Sequence, residues 1–444
     1  MDGIFSSDAD ARFGALGIPP FFNVPALPNF VGEWAAIVPL VSHLASYRDD
    51  YAIAGRVALE GKVAIGVFPK LGYLSGLSRL LRNPRKFLDH ASARGETGRN
   101  VWDVQYGGSF PCSNGAAVDL LIDYLQSRSP PNIIKMPENM DDNPVTTALY
   151  AKEKADARHF RRYQTLRVLS CHRGPRPAPW FLPSKYSRAV IHLLSAICAL
   201  GCAAVLALSG AYGTTAVLLC ATVSNVAASF LVTVARPPGY LENNDPGSPG
   251  SMLAAPHQNA LEWDLFIGDR GVIDSLMNKS LFWIPPTRGT TLFGRWLQIG
   301  DALQLAAMTF TAAQKGWDGV CMAGLLLVTW LIEIYNGRDT NLVQDWLRQE
   351  GVVVELKEFE FSGRFNMLGT IQLLTKTKVT SWMDDILVTH PRRDAWLKRL
   401  MNNEKPDSAF WNPNDIERIE VGASLCAKME GIIQGEFATP TPGV

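Results

Sequence analysis

Hydrophobic and polar positions divide the chain into one long uncharged stretch and flanking regions in which charges recur. Residues 189–235 contain no Asp, Glu, Lys or Arg, and Arg188 and Arg236 enclose them. A helix rises about 1.5 Å per residue, so about 20 apolar residues cross the roughly 30 Å hydrocarbon core of a bilayer. The stretch is long enough for two such helices, and a turn with Gly210 and Gly213 lies at its middle. The pattern predicts a transmembrane hairpin over residues 189–234. The alternative is a buried helical pair in a soluble protein.

A second, weaker pair of apolar segments lies over residues 296–335. Polar residues 314–318 interrupt it, and it carries the acids Asp301 and Glu333. We interpret this pair as a second membrane hairpin, which gives four spans in all. The alternative has two spans, and the second pair then lies on the membrane surface or enters the membrane and returns on the same side.

Asp301 and Glu333 are the candidate catalytic residues. A charge inside a membrane is costly and usually faces a bundle interior or a wet cavity. Asp301, Gln304 and Met308 recur at helical spacing, so they share one face of the helix. If the hairpin crosses and returns, the two acids lie on the same side of the bilayer. The alternative is that both acids lie at the interface and only set the depth of the helices.

A basic segment, residues 151–188, precedes the first hairpin. It has ten Lys or Arg against two acids, Glu153 and Asp156. Positive charge is retained on the cytosolic side of membrane proteins, so this bias predicts that both termini lie in the cytosol. The predicted partners are the lipid bilayer and, at the basic segment, anionic lipids. A smaller basic group, Arg79, Arg82, Arg85 and Lys86, either meets the same lipids or is a solvated turn.

The sequence therefore predicts a mainly α fold. It is a polytopic membrane protein with helical hairpins and a small cytosolic α/β region at the C-terminus, where residues 352–356 and 359–361 are strand-like. Six regions follow from this interpretation: residues 1–150, soluble or on the membrane surface; 151–188, basic and juxtamembrane; 189–234, the first hairpin; 236–295, a polar cytosolic loop; 296–335, the second hairpin; and 336–444, cytosolic. Whether residues 30–81 touch the membrane is left open.

Composition limits the classes of function. Basic and acidic residues balance at 42 each, whereas a nucleic-acid-binding protein usually carries a basic excess. We therefore expect no nucleic-acid partner. Mean hydropathy is only +0.03, which indicates that much of the chain lies in water. The seven cysteines include no CxxC pair, which argues against a zinc or disulfide framework.

Glu262, Asp264 and Asp269 are candidate metal ligands. On an extended strand, residues two apart share a face, so Glu262 and Asp264 together present oxygens suited to Mg²⁺. The alternative is a solvated loop. The chain shows no HExxH, GxSxG or P-loop pattern, and we expect no cofactor. Cys112 lies in the glycine-rich residues 107–115, which predict a loop that caps a helix; we expect an inert thiol there.

Several runs in the second half of the chain carry a resemblance. They are Ala235-Arg236-Pro237-Pro238-Gly239-Tyr240-Leu241-Glu242-Asn243, Gly369-Thr370-Ile371-Gln372, Lys376-Thr377-Lys378-Val379-Thr380-Ser381-Trp382-Met383-Asp384-Asp385-Ile386-Leu387 and Pro391-Arg392-Arg393-Asp394-Ala395-Trp396-Leu397. These runs resemble uncharacterised multi-pass membrane proteins of filamentous fungi. The resemblance implies a membrane location and a fungal source, and it transfers no activity and no catalytic residue.

The function that these expectations favour is that of an integral membrane protein of structural or interaction type, in an internal membrane or the plasma membrane. One alternative is a membrane-embedded enzyme that acts on a lipophilic metabolite, with Asp301 and Glu333 at its site. A second alternative is a transporter. Four spans favour it least, because carriers are commonly built from paired repeats.

Overall fold

A mixed β-sheet lies at the centre of the fold. The computed structural model describes residues 28–45, 50–66, 68–69, 72–94, 98–128, 132–140, 162–174, 185–243, 248–314, 316–335 and 338–438. Within these residues seven strands form one sheet in the order β2-β1-β5-β6-β4-β7-β3. The strands are β1 (Asn100–Asp103), β2 (Ser109–Pro111), β3 (Ile133–Lys135), β4 (Gln164–Arg173), β5 (Gly250–Ala255), β6 (Glu262–Gly268) and β7 (Val352–Phe361).

The strand β4 lies inside the sheet, between β6 and β7. It pairs in parallel with β6, from Thr165 opposite Glu262 to Cys171 opposite Gly268. It also pairs antiparallel with β7 along its whole length. All six residues of β5 are buried, as expected of a strand that is covered on both faces.

Fourteen α-helices surround this sheet in the described part of the chain. They are α1 (Asn29–Ala45), α2 (Asp50–Glu60), α3 (Tyr73–Arg82), α4 (Pro84–Arg94), α5 (Gly115–Arg128), α6 (Lys185–Leu208), α7 (Tyr212–Leu231), α8 (Arg270–Met277), α9 (Arg288–Gln314), α10 (Trp317–Tyr335), α11 (Arg338–Glu350), α12 (Arg364–Thr375), α13 (Pro391–Asn402) and α14 (Pro413–Ala438).

Each face of the sheet has its own core. Because side chains alternate along a strand, neighbouring residues of β4 enter different cores. Leu169 packs with residues of α2, α5, α8 and α11 on one face. Val168 packs with residues of α12, α13 and α14 on the other. The two cores explain why the central strands are apolar without the strict alternation of a half-exposed strand.

Five helices form a separate group beside the sheet, which we call the helical layer: α1, α6, α7, α9 and α10. In it, α7 packs against α6, α9 and α10, and α1 packs against α9 and α10. Its own buried core is small and consists of Phe68, Val217, Ala307, Met308 and Met322. Most of the apolar side chains of these helices therefore face away from the protein.

Asp318 holds three helices of the layer together. One oxygen of its carboxylate accepts from the Gly213 amide at 2.7 Å, and the other accepts from the Thr214 amide at 2.8 Å and from its hydroxyl at 2.6 Å. The Thr311 hydroxyl of α9 donates to the same carboxylate at 3.3 Å. The carboxylate thus satisfies free amides at the start of α7. A Cβ at Gly213 would come within 2.1 Å of Thr311 Oγ1, so the contact requires glycine there.

The predicted mainly α, polytopic membrane fold is wrong. Among the described residues only one helix, Tyr212–Leu231, is long and apolar enough to cross a membrane. The other exposed apolar stretches, Val31–Ser42, Leu193–Leu208 and Trp317–Leu331, are shorter, and α9 is interrupted by charged and polar residues. The multi-pass membrane location, with both termini in the cytosol, is wrong for the same reason.

The sheet also changes the meaning of the predicted regions. The strand β4 lies inside the segment interpreted as basic and juxtamembrane, and β5 and β6 lie inside the segment interpreted as a polar loop. The strand-like C-terminal residues form β7, which pairs with β4 and β3 rather than within a small unit of its own. The sheet forms by pairing between strands that are far apart in the sequence, and the hydrophobic pattern of each segment does not reveal such pairing.

We expect Asp318→Asn to destabilise the chain by about 2 kcal/mol, because an amide nitrogen then faces buried donors at the start of α7. Thr309→Val is the matched control: the Thr309 hydroxyl is exposed and donates only to its own helix, so we expect less than about 0.5 kcal/mol. Equilibrium unfolding in urea, followed by circular dichroism, measures both. Equal free energies of unfolding in the two variants would contradict the structural role of Asp318.

Candidate functional site

The outward side of the helical layer carries a continuous set of exposed apolar side chains, which we call the apolar surface. Its members are Val190, Leu193, Leu194, Ile197, Leu200, Val205 and Leu208 of α6, Val223, Val226, Phe230 and Leu231 of α7, Ile299, Leu303 and Phe310 of α9, Leu327, Val328, Trp330 and Leu331 of α10, and Trp34, Ile37 and Val41 of α1. Of the apolar window of α7, 39% is buried inside the protein, so more than half of its positions are not buried.

The helix α6 is exposed on nearly all sides. Between Leu193 and Leu208 only Ala203 is buried, and no ionisable Asp, Glu, Lys or Arg occurs from residue 189 to residue 208. A helix that is apolar all round belongs in a protein core or in lipid. This one is not in the core.

Hydroxyl groups on these helices are satisfied within the chain. Those of Ser209, Thr222, Ser229, Thr309 and Thr329 donate to main-chain oxygens three or four residues earlier, at 2.6 to 2.9 Å. This bonding removes the need for water at each hydroxyl. A surface that must exclude water needs such internal partners.

Three main-chain groups of the non-helical segment between α2 and α3 form hydrogen bonds with side chains, and two of these side chains belong to the helical layer. The Ile65 amide donates to Asn225 Oδ1 of α7 at 3.3 Å. Gln304 of α9 donates to the Pro69 oxygen at 2.7 Å, and the Tyr73 hydroxyl donates to the Ala64 oxygen at 2.8 Å. Non-helical backbone requires side-chain partners of this kind wherever water is absent.

Asp301 and Glu333 lie on α9 and α10, which form the second predicted hairpin. Asp301 is half-buried, and its predicted companions Gln304 and Met308 are buried, so the three do face inward. The helix α10 includes Glu333, but its side chain lies outside the described residues. The pairing of Asp301 with Glu333 therefore stays a prediction.

Glu262 and Asp264 share one face of β6, as the two-residue spacing predicted. Both contact Arg167 of β4: its Nε donates to Asp264 at 2.5 Å and its guanidinium lies 3.1 Å from Glu262. Asp264 is fully buried and also binds Arg99. The carboxylates of this face are thus occupied by guanidinium groups.

The third candidate metal ligand, Asp269, lies at the far end of β6. Its side chain accepts from the Val272 amide at 3.0 Å, so it caps the start of α8. It also pairs with Arg173 at 3.2 Å. Across the described residues, no group of three or more His, Cys, Asp or Glu side chains is placed to hold a metal ion.

Arg99 extends the charged group around Asp264 to a helix. It donates to Asp119 of α5 at 2.7 Å. Burial acts to lower the pKa of Arg99, but the attraction of Asp264 and Asp119 outweighs it and the net pKa is raised. Burial raises the pKa of Asp119 in spite of Arg99. We call Arg99, Asp119, Arg167 and Asp264 the buried ionic group; it joins β6, β4, α5 and the residue before β1.

Ser170 and His172 form a pair that the sequence analysis missed. They face the same side of β4, and Ser170 Oγ lies 2.7 Å from His172 Nε2, which is the distance of a nucleophile and its base. Ser170 is buried and His172 is exposed. Among the described residues no carboxylate binds the other ring nitrogen, so the orienting third group of a triad is not supplied there. A Ser-x-His pattern within a strand was the available signal.

Cys112 is buried between β2 and α5. The helix predicted after residues 107–115 is α5, but residues 109–111 form β2 rather than part of a loop. Burial raises the pKa of the Cys112 thiol to about 12, and it does the same for Cys171 and Cys426. These thiols stay protonated near neutral pH, so they are poor nucleophiles.

We expect Asp264→Asn to destabilise the chain by about 3 to 5 kcal/mol, because it leaves two buried guanidinium groups without their carboxylate. Glu262→Gln is the control; the Glu262 side chain is 62% exposed, and we expect less than about 1 kcal/mol. Urea unfolding measures both. Urea unfolding in the presence of Mg²⁺ is a second test. If Mg²⁺ raised the free energy of unfolding of the wild type but of neither variant, the structural assignment would be contradicted and a cation site favoured.

Comparison of the chain with protein-family models, curated proteins and solved structures gave no match. The resemblance to fungal membrane proteins is therefore untested, and function has to be inferred from the geometry described above.

Proposed function

We propose that the chain is a membrane-attached protein of structural or interaction type. Its helical layer is embedded in lipid, and the sheet with its two covering sets of helices stays in water. The observation that carries this proposal is the part of α6 from Leu193 to Leu208, which is uncharged, apolar and exposed on nearly all sides.

Lipid fits the apolar surface better than a protein partner does. A protein covers one side of a helix and brings polar groups that need partners. The apolar surface extends around α6 and over α7, α9, α10 and α1, and the hydroxyls within it already donate to their own helices. Acyl chains neither donate nor accept hydrogen bonds, and they can contact every side of a helix.

The lengths of the helices favour attachment from one side of the membrane. Among the described helices, only α7 has an apolar segment as long as a full span, whereas the apolar part of α6 runs from Leu193 to Leu208 and that of α10 from Trp317 to Leu331. Helices that are too short to cross can lie in the interfacial part of a bilayer with their apolar sides in the acyl chains. The sheet then remains at the membrane surface, where it is available to other proteins.

A structural or interaction role is favoured over catalysis by the state of the charged groups. The Asp264 carboxylate binds the guanidinium groups of Arg167 and Arg99. Asp318 binds the start of α7. Groups committed in this way stabilise the fold and are not free to transfer protons.

We expect Ile197→Glu to lower binding to phosphatidylcholine vesicles by roughly a hundredfold, because a charge within the acyl region costs about 3 kcal/mol. The control is Val388→Glu, at an aliphatic side chain that is 85% exposed on the sheet part of the chain. Flotation of the full chain with vesicles measures both. The proposal fails if the wild type does not float, or if the two variants bind equally well.

The Ser170–His172 pair is the observation that favours an enzyme, and a fluorophosphonate probe tests it. We expect no labelling of Ser170, since the described residues provide no group to orient His172. Ser170→Ala is the control for labelling elsewhere. Labelling of the wild type that is lost in Ser170→Ala and in His172→Gln would show an activated serine and replace the structural role with acyl-transfer chemistry.

A further inference from the structure

Five exposed basic side chains lie where the apolar surface begins. They belong to the last turn of α3, the first turn of α4 and the N-terminal half of α9, and they are Arg79, Arg82, Arg85, Lys86 and Arg295. We call this group the basic rim.

Direct contacts place α3 against α9 at this point. The Arg82 guanidinium donates to Gln298 of α9 at 3.1 Å. A Cβ added at Gly294 would lie 2.8 Å from Arg82 Cγ, so the Arg82 side chain packs directly on this glycine of α9. Gly294 therefore lets α3 and α9 meet closely at the residue that precedes Arg295.

The outward stripe of α9 changes from basic to apolar at the same level. Arg288, Leu292 and Arg295 are exposed along its first two turns, and the stripe continues with Ile299 and Leu303. These positions follow one another at helical spacing of three or four residues, so they share a face. Cationic side chains directly beside an apolar surface are typical of the headgroup level of a membrane.

Four of the five rim residues carry positive charge that no acidic side chain of the described residues compensates. In the described part of the chain, Arg82, Arg85, Lys86 and Arg295 form no ion pair with an acidic side chain, and the Arg79 guanidinium lies over the Phe87 ring at 6.0 Å from its centre. Asp89 follows one turn later on α4 and lowers the net charge of that helix.

From this placement we propose that the basic rim binds the phosphate groups of anionic lipids. The inference rests on the proposed function, since it names the lipid class that the embedded layer meets at its edge. Guanidinium groups bind phosphate oxygens in pairs of hydrogen bonds, and basic side chains at a membrane surface are attracted by its negative potential. The rim would therefore select anionic membranes, while the apolar surface supplies attachment to any bilayer.

Binding of the full chain to two kinds of vesicle tests the inference. One kind contains phosphatidylcholine alone, and the other contains phosphatidylcholine with phosphatidylserine. The variant is Arg85→Gln with Lys86→Gln, whose side chains are exposed and hold no structural contact. The matched control is Lys398→Gln with Lys405→Gln, at exposed positions on α13 and the loop after it.

We expect the wild type to bind the phosphatidylserine vesicles more tightly than the neutral ones. The double variant should lose about 25-fold in affinity for them, at roughly fivefold per basic side chain, and nothing for neutral vesicles. The control pair should behave as the wild type. Added salt should weaken only the preference for phosphatidylserine.

Three results would overturn the inference. In the first, the wild type binds both kinds of vesicle equally. In the second, the rim and control variants lose the same amount. In the third, inorganic phosphate at the same phosphate concentration displaces the chain from phosphatidylserine vesicles, which would assign the rim to a free anion. Failure of the wild type to bind neutral vesicles is different, because it would remove the proposed function itself.

Discussion

The helical layer depends on the bonding of its polar groups within the chain. Its outward side is apolar, and under the proposed lipid cover each amide or hydroxyl needs a hydrogen-bond partner from a neighbour in the chain. The Asp318 carboxylate accepts hydrogen bonds from the amides at the start of α7. Asn225 and Gln304 bind main-chain groups of the non-helical segment between α2 and α3. Hydroxyl groups of the helices donate to main-chain oxygens of their own helix. The arrangement allows a layer with a small core to keep one structure.

The sheet follows the opposite rule, because it keeps charges inside and pairs them. Asp264 is fully buried on a central strand, where an unpaired carboxylate would be very costly. Arg167 comes from the neighbouring strand, and Arg99 comes from the residue before β1 and brings Asp119 of α5 with it. The buried ionic group thus fixes how β6, β4 and α5 meet, and one of the three candidate metal ligands, Asp264, belongs to it.

The sequence was informative where the signal was local. The uncharged stretch and its glycine turn predicted two helices, and α6 and α7 lie there with their turn at residues 209–211. The two-residue spacing placed Glu262 and Asp264 on one face correctly.

What the sequence did not reveal depends on distant residues. Arg167 and Arg99 meet Asp264 across 97 and 165 positions of the chain, so no local pattern could show that this acid is neutralised. The strands β4, β5 and β6 all lie in segments where charge or polarity dominated the interpretation. Counting apolar residues also overstated the second hairpin, because polar residues such as Asp301 and Gln304 interrupt α9 within it.

The central claim is that lipid covers α6 and α7. It can be tested by dissolving an apolar carbene precursor in vesicles that carry the full chain, activating it with light and mapping the modified residues by mass spectrometry. The account predicts labels on outward residues such as Leu194, Val205 and Phe230, and none on Val388 or Phe410, which are equally apolar and exposed on the sheet part of the chain. Labelling of Phe410 at the level of Phe230, or a complete lack of labels on α6 and α7, would contradict it.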